Sequence, residues 1–158
     1  MSTEIERRAI TDDDLPFLSR LYASTREEEL APLPWSDEQK RVFLEQQFNA
    51  QHVFYQQQFP DAVFDVLLVG GEPAGRLYLV RWTREIRIVD IALLPEFRGR
   101  GLGGGLLEGI LDEGRREGKK VSIHVERNNP AMHLYRRLGF VDVEDKGVYL
   151  LMEWQPEA

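Results

Sequence analysis

Apolar positions change their period along the chain, and each change marks an element. "EIERRAI" alternates and predicts a first strand. In "TDDDLPFLSRLYAS", Leu15, Leu18 and Tyr22 recur at helical spacing behind a capping pair, Thr11 and Asp14. Pro16 is tolerated because the first helical turn has no use for its missing N–H. "REEELAPLPW" carries two prolines and reads as a loop. Ser36 and Gln39 form a second capping box, which opens a long helix from about Asp37 to about Gln58.

The period then shortens to that of strands. "AVFDVLLVGGEPAGRLYLVRW" is two β-branched runs around a Gly-Gly-Glu-Pro turn, a hairpin. "EIRIVDIALL" alternates in its first half and is continuously apolar in its second, the pattern of a strand that becomes buried on both faces. Leu102, Leu106 and Ile110 stand four apart in a helix from about Gly101 to Glu117, and Gly118 ends it. "KKVSIHVE" is a strand. "NPAMHLYRRLG" is a short helix, with Pro130 at its first position, Asn129 as its cap and Gly139 at its end. "FVDVEDKGVYLLMEW" closes the chain as a hairpin around Asp145 to Gly147. The order β-α-α-β-β-β-α-β-α-β-β predicts an α/β (α+β) fold: one mixed sheet, with two parallel strands joined by the Gly-initiated helix.

Composition narrows the function. The 158 residues fit a single domain, and 42% hydrophobic with 30% charged residues is ordinary for a globular protein. A formal net charge of -7 argues against general affinity for nucleic acid, whose phosphates need a basic face. No residue is cysteine, which removes disulfides, zinc-thiolate centres and a Cys-linked acyl intermediate. No motif suggests a metal. "MSTEIERRAITDDD" lacks the apolar core of a signal peptide, and no run is long enough to span a membrane. A cytoplasmic protein is the expectation.

Residues 98–105 read "RGRGLGGG". They follow a strand and open a helix, where free N–H groups and the positive dipole end bind anions. Glycines let a phosphate approach the backbone, and Arg98 and Arg100 add charge. Strong apolar elements on both sides argue against a flexible linker, and the acidic chain against an RNA-binding tract. Gly99, Gly101 and Gly104 also fit the dinucleotide pattern G-x-G-x-x-G, with Glu126 downstream, but "PEFR" separates the pattern from its strand.

"LLPEFRGRGLG" resembles the acyl-CoA-binding motif of the GNAT superfamily of N-acetyltransferases, with Arg98, Gly101 and Gly103 on the pattern [QR]-x-x-G-x-[GA]. "NNPAMHLYRRLGF" is similar to that family's N-x-x-A-x-x-L-Y-x-x-x-G-F, through Asn128, Ala131, Leu134, Tyr135, Gly139 and Phe140. The resemblance implies a single GNAT-type domain over residues 1–158, its motif core at about 85–140, and acetyl-CoA as cosubstrate. CoA pyrophosphate would lie on Arg98, Gly99, Arg100, Gly101, Leu102, Gly103 and Gly104, the pantetheine arm beside Ile91, Ala92 and Leu93, and Asn128 would bond that arm. An N–H near Ala92 or Leu93 would stabilise the oxyanion.

The resemblance also implies catalytic roles. Tyr135 would protonate the departing thiolate, although its spacing also places it on a buried helix face. The attacking primary amine must first lose a proton. Asp90, which interrupts "RIVDIALL", is a candidate base or amine-binding group, or else an ion-pair partner of Arg76 or Arg87. His124 is a second candidate base, or a structural residue. On the acceptor side, Glu28 and Trp35 could meet a cationic amine, or be a solvated charge and a helix staple. "RREGKK" at 115–120 could meet the 3′-phosphate of CoA, or simply complement a helix C-terminus. The acceptor stays open as a small-molecule or protein amine. A non-catalytic acyl-CoA sensor on the same fold is the alternative function. "VYLLMEW" suits either an interior strand or pairing between two copies. Gly104 and Gly105 extend the glycine run past what the motif requires.

Overall fold

The computed structural model describes residues 5–157. Glu4, which begins the predicted first strand, and the rest of Met1–Glu4 lie outside them, as does Ala158. Seven strands form one sheet: β1 (Ile5–Ala9), β2 (Val63–Val69), β3 (Glu72–Arg81), β4 (Glu85–Leu93), β5 (Lys120–Glu126), β6 (Val141–Lys146) and β7 (Tyr149–Trp154), in the order β1-β2-β3-β4-β5-β7-β6. Every pairing is antiparallel except β4 with β5. A parallel pair needs a crossover, and α4 (Leu102–Glu117) supplies it.

The helices take the two faces of the sheet. On one face α4 lays Leu106, Leu107, Ile110 and Leu111 against Leu77, Leu79, Ile86, Ile88, Val121 and Ile123. Each of those buried side chains contributes about 1.5–3 kcal/mol. The short α5 (Met132–Arg137) joins this core through Met132 and Tyr135. On the other face α1 (Leu15–Ser24) and α3 (Asp37–Gln58) meet through Leu18, Tyr22 and Phe48.

The caps hold as the sequence predicts. The Gln39 N–H donates to Ser36 Oγ at 3.1 Å, and the Ser36 N–H donates to Gln39 Oε1 at 2.9 Å. The Thr11 N–H donates to Asp14 Oδ2 at 2.8 Å, ahead of a 3-10 turn that runs into α1.

Three expectations change. The predicted loop after α1 contains one helical turn, α2 (Glu27–Leu30), fixed by an Arg26–Glu29 ion pair at 2.9 Å and by burial of Leu30. Helix α5 begins two residues after Pro130. Ala131, not Asn129, takes the cap position and has no side-chain cap bond; Asn129 instead closes the turn before the helix, its Oδ1 accepting the Ala131 N–H at 2.8 Å. The second half of β4 is half-buried rather than enclosed, because its far edge is open. β7 lies between β5 and β6, so both its edges are used within the sheet.

Candidate active site

A wedge between two parallel strands creates the site. β4 and β5 pair from Glu85↔Lys120 to Ile88↔Ile123 and no further. The cause lies on the other side of β4. Tyr78 pairs with Asp90 and Leu79 with Ile88, so Val89 is an extra residue that bends β4 away from β5. Gly75 on β3 permits this course: a Cβ there would stand 2.1 Å from Ala92 O. Backbone alternation then sorts the groups beyond the bulge. The Leu94 N–H turns back to Ala74 O at 2.8 Å, which directs the Ala92 backbone toward β3 and leaves those of Ile91 and Leu93 on the open edge. Of the two residues predicted to supply an oxyanion N–H, Leu93 is the one that faces the cleft.

The glycine stretch closes one end of the wedge. Gly99 and Gly101 have φ of 74° and 77°, where a side chain would be strained. Arg98 Nε donates to Leu93 O at 2.9 Å and folds the loop back onto β4. Gly101 caps α4 without a side-chain bond, and the first intrahelical bond runs from Gly105 N–H to Gly101 O at 3.1 Å. The amides of Leu102, Gly103 and Gly104 precede that bond and point out of the helix end, at its positive pole. The arrangement suits a pyrophosphate. Ideal Cβ atoms on Gly103 and Gly104 would only touch Leu93 Cδ1 at 3.9 Å and Leu134 Cδ1 at 3.8 Å, so neither glycine is demanded by packing.

Tyr135 stands on the opposite wall. It is 4% exposed and packs edge-on against Phe140, with ring centroids 5.8 Å apart. Burial, and then the charge of Asp90, push its hydroxyl up to about 12. The hydroxyl therefore keeps its proton across the physiological range. Asn128 is exposed, two residues past the end of β5.

Both candidate bases are already committed. Asp90 takes the fork of the buried Arg76, Nε on Oδ1 at 3.2 Å and Nη2 on Oδ2 at 2.8 Å. It also accepts the Tyr55 hydroxyl at 3.0 Å. Gln51 completes the group by accepting from Arg76 Nη2 at 2.8 Å. His124 is exposed on β5, and its Nδ1 lies 3.3 Å from Arg87 Nη1. A guanidinium only donates, so Nδ1 accepts and Nε2 carries the hydrogen. Burial, Arg87 and Lys146 hold this imidazole below its ordinary pKa.

The acceptor-side candidates separate. Glu28 is exposed on α2 and makes no ion pair among the described residues. Trp35 packs edge-on against Phe43 at 5.2 Å, in a surface groove formed with Glu38, Gln39, Val42 and Gln46. No strand contributes to that groove, so Trp35 stands apart from the wedge. The residues that do reach the site from this side are Tyr55, Gln51 and Arg26. Arg26 Nη1 donates to Glu126 at 3.1 Å, joining the end of α1 to the end of β5. The Arg76–Asp90 pair had a signal in the sequence, since each charge interrupts an apolar strand. Tyr55 had only its helical phase, seven residues after Phe48. Arg26–Glu126 spans a hundred positions and had none.

Comparison with known proteins fits this geometry. The model of the Acetyltransferase (GNAT) family matches residues 21–140. An uncharacterized N-acetyltransferase of Methanocaldococcus jannaschii is 31% identical over 91 residues, and the mycothiol acetyltransferase of Corynebacterium aurimucosum is 43% identical over 67. These matches cover 51% and 41% of this chain but only 40% and 21% of those proteins, so the chain spans less than half of either relative. Among solved structures, the PaiA N-acetyltransferase of Thermoplasma acidophilum in complex with coenzyme A superposes with a TM-score of 0.70 at 19% identity, covering 96% of this chain and 99% of that one. A GNAT family acetyltransferase from Elizabethkingia anophelis with acetyl-CoA bound gives 0.62 at 17%, covering 98% and 99%. At those identities the likeness is one of fold.

Proposed function

The chain belongs to the GNAT acetyltransferase family, and on that premise we propose that it transfers an acetyl group from acetyl-CoA to a primary amine, small-molecule or protein, by direct attack in the cytoplasm. The observation that carries this reading is the open wedge between β4 and β5, with free amides at one end and the buried Tyr135 at its wall. The cosubstrate supplies the acetyl group activated as a thioester. The chain's residues do the rest. The α4 amides and Arg98 hold the diphosphate. The open edge at Ile91 and Leu93 aligns the arm as an added strand and offers an N–H to the carbonyl oxygen. Tyr135 gives its proton to the leaving sulfur.

Neither candidate base is free. Asp90 positions the acceptor wall through Arg76 and Tyr55, and His124 accepts from Arg87. The amine therefore loses its proton to water in the open cleft, and only its neutral fraction reacts.

The reading is tested by free-thiol release from acetyl-CoA over a panel of primary amines. Turnover with an amine, and its loss by about 100-fold in Tyr135→Phe at unchanged CoA affinity, is the expected result. Tight acetyl-CoA binding with no turnover on any amine would favour a non-catalytic sensor.

A further inference from the structure

Two features at the glycine stretch remain without a role. Gly104 and Gly105 continue the run into the helix, and no cation has been given to the 3′-phosphate of CoA. The basic segment at 115–120 does not supply one. It sits at the far end of α4, and sixteen residues of helix put it about 24 Å from the loop. Two of its four cations are also used: Arg115 pairs with Asp112 and stacks on Trp154, and Lys120 pairs with Glu153 and Glu85.

A cavity of about 380 Å³ opens at the near end, between β1 and α4. Arg7 and Arg100 line it, with Ile5, Gly101, Gly105 and Leu106 among its other walls. Arg7 shares a strand face with Ile5, two residues before it, and Ile5 packs on the core beneath α4. Arg100 is steadied over the Phe97 ring at 5.3 Å. Among the described residues neither guanidinium has a carboxylate within salt-bridge distance or a side-chain hydrogen bond. Arg8, Arg26, Arg41, Arg76, Arg81 and Arg87 each have such a carboxylate, whereas Arg20, Arg84, Arg116 and Arg137 do not among the described residues; what sets Arg7 and Arg100 apart is that they line one cavity. Arg7 feels the charge of Asp65 on the neighbouring strand without bonding to it, and two guanidinium groups that face one cavity without side-chain hydrogen bonds among the described residues suit an anion. Gly105 shapes the same cavity. A Cβ there would meet nothing within 4 Å, so no packing contact requires glycine, and glycine costs a helix interior about 1 kcal/mol against alanine. What its bare backbone provides is room.

We propose that this cavity seats a phosphate monoester, the 3′-phosphate of CoA, clamped between Arg7 and Arg100 over the bare backbone of Gly105. The proposal rests on the acetyl-CoA reading above and extends it. Gly101 and Leu102 belong both to the diphosphate cradle and to the cavity wall, so the two phosphate groups lie one ribose apart.

The test measures the affinity of the full chain for CoA and for dephospho-CoA, which differ only in the 3′-phosphate, by titration calorimetry. Wild type should prefer CoA by about tenfold or more, the worth of a charge-assisted contact. Arg7→Gln, and independently Gly105→Leu, should bring the two affinities together while leaving that for dephospho-CoA in place. Both positions are open to solvent or cavity, and circular dichroism checks that each variant is folded. Equal affinities in wild type, or a preference that survives Arg7→Gln, would overturn the proposal. Inorganic phosphate is the second probe. If it raises the wild-type melting temperature but not that of Arg7→Gln, while CoA shows no preference over dephospho-CoA, the cavity serves a separate phosphorylated molecule and the 3′-phosphate assignment is wrong. Binding of neither nucleotide would overturn the acetyl-CoA reading itself, and this assignment with it.

Discussion

Asp90 and Arg76 show how one pair of residues decides a mechanism. Each lies in an apolar strand, the two are diagonal neighbours across β3 and β4 (Arg76 opposite Ala92, Asp90 opposite Tyr78), and Arg76 is 4% exposed. A buried guanidinium needs its counter-charge. Removing one partner of such a pair costs about 3–5 kcal/mol, because the other charge is left in the interior. Asp90→Asn should therefore lower the unfolding free energy read from urea titration by about that amount. It should not change the form of the pH–rate profile, since Asp90 already accepts three bonds and takes no proton from the amine. In wild type and in this variant alike, kcat/KM should rise tenfold per pH unit toward the acceptor's own pKa, near 10 for a simple primary amine. Tyr135 does not cut the rise short, because its hydroxyl holds its proton to about 12. An acidic limb that disappears in Asp90→Asn would make Asp90 the base after all. The sequence marks the two charges as unusual but does not show which atoms remain free, and that distinction separates a base from a positioning residue.

At the scale of elements, caps and period were legible because they act within a few residues. α3 runs from Asp37 to Gln58 as its capping box predicts. That box does more here than in most helices, because among α3's residues only Phe48 is fully buried, so local terms must carry much of the helix. Ser36→Ala should cost about 1 kcal/mol, read as a fall in the thermal or urea midpoint, while Ser36→Gly should cost only a few tenths. Loss of equal size in both would assign the effect to chain flexibility instead of to the cap. α2 was not legible, since its four residues are held by an Arg26 contact and by burial of Leu30 rather than by period. The wedge was hidden for a related reason. A bulge at Val89 adds one residue to one strand, and the alternation of "RIVDIALL" looks the same whether its second half is enclosed or left with an open edge.

At the scale of the whole molecule, the edge strand must be tied to the helical layer, and one ion pair does this. Arg8 on β1 forks Asp14 at the entry to α1, both bonds at 2.9 Å, and Asp14 also accepts the Thr11 N–H. The Arg8 bond is the largest influence on this carboxyl and lowers it to about 2. A carboxylate depressed in the folded state contributes stability above its unfolded pKa, near 3.8, and loses it as the pH falls through about 2. Arg8 is 43% exposed, so solvent screening reduces the contribution to about 1 kcal/mol or less. Asp14→Asn should therefore be less stable than wild type by about that much at pH 7 and at pH 5. The gap should narrow below pH 4 and close below pH 2, as wild-type Asp14 itself becomes protonated. Urea unfolding across this range measures the difference directly. A gap that stays constant with pH would mean that Asp14 matters only as the cap of α1, a role that asparagine fills nearly as well, and that the tie between the sheet edge and the helices is made by packing of Ile5 and Ile10 instead.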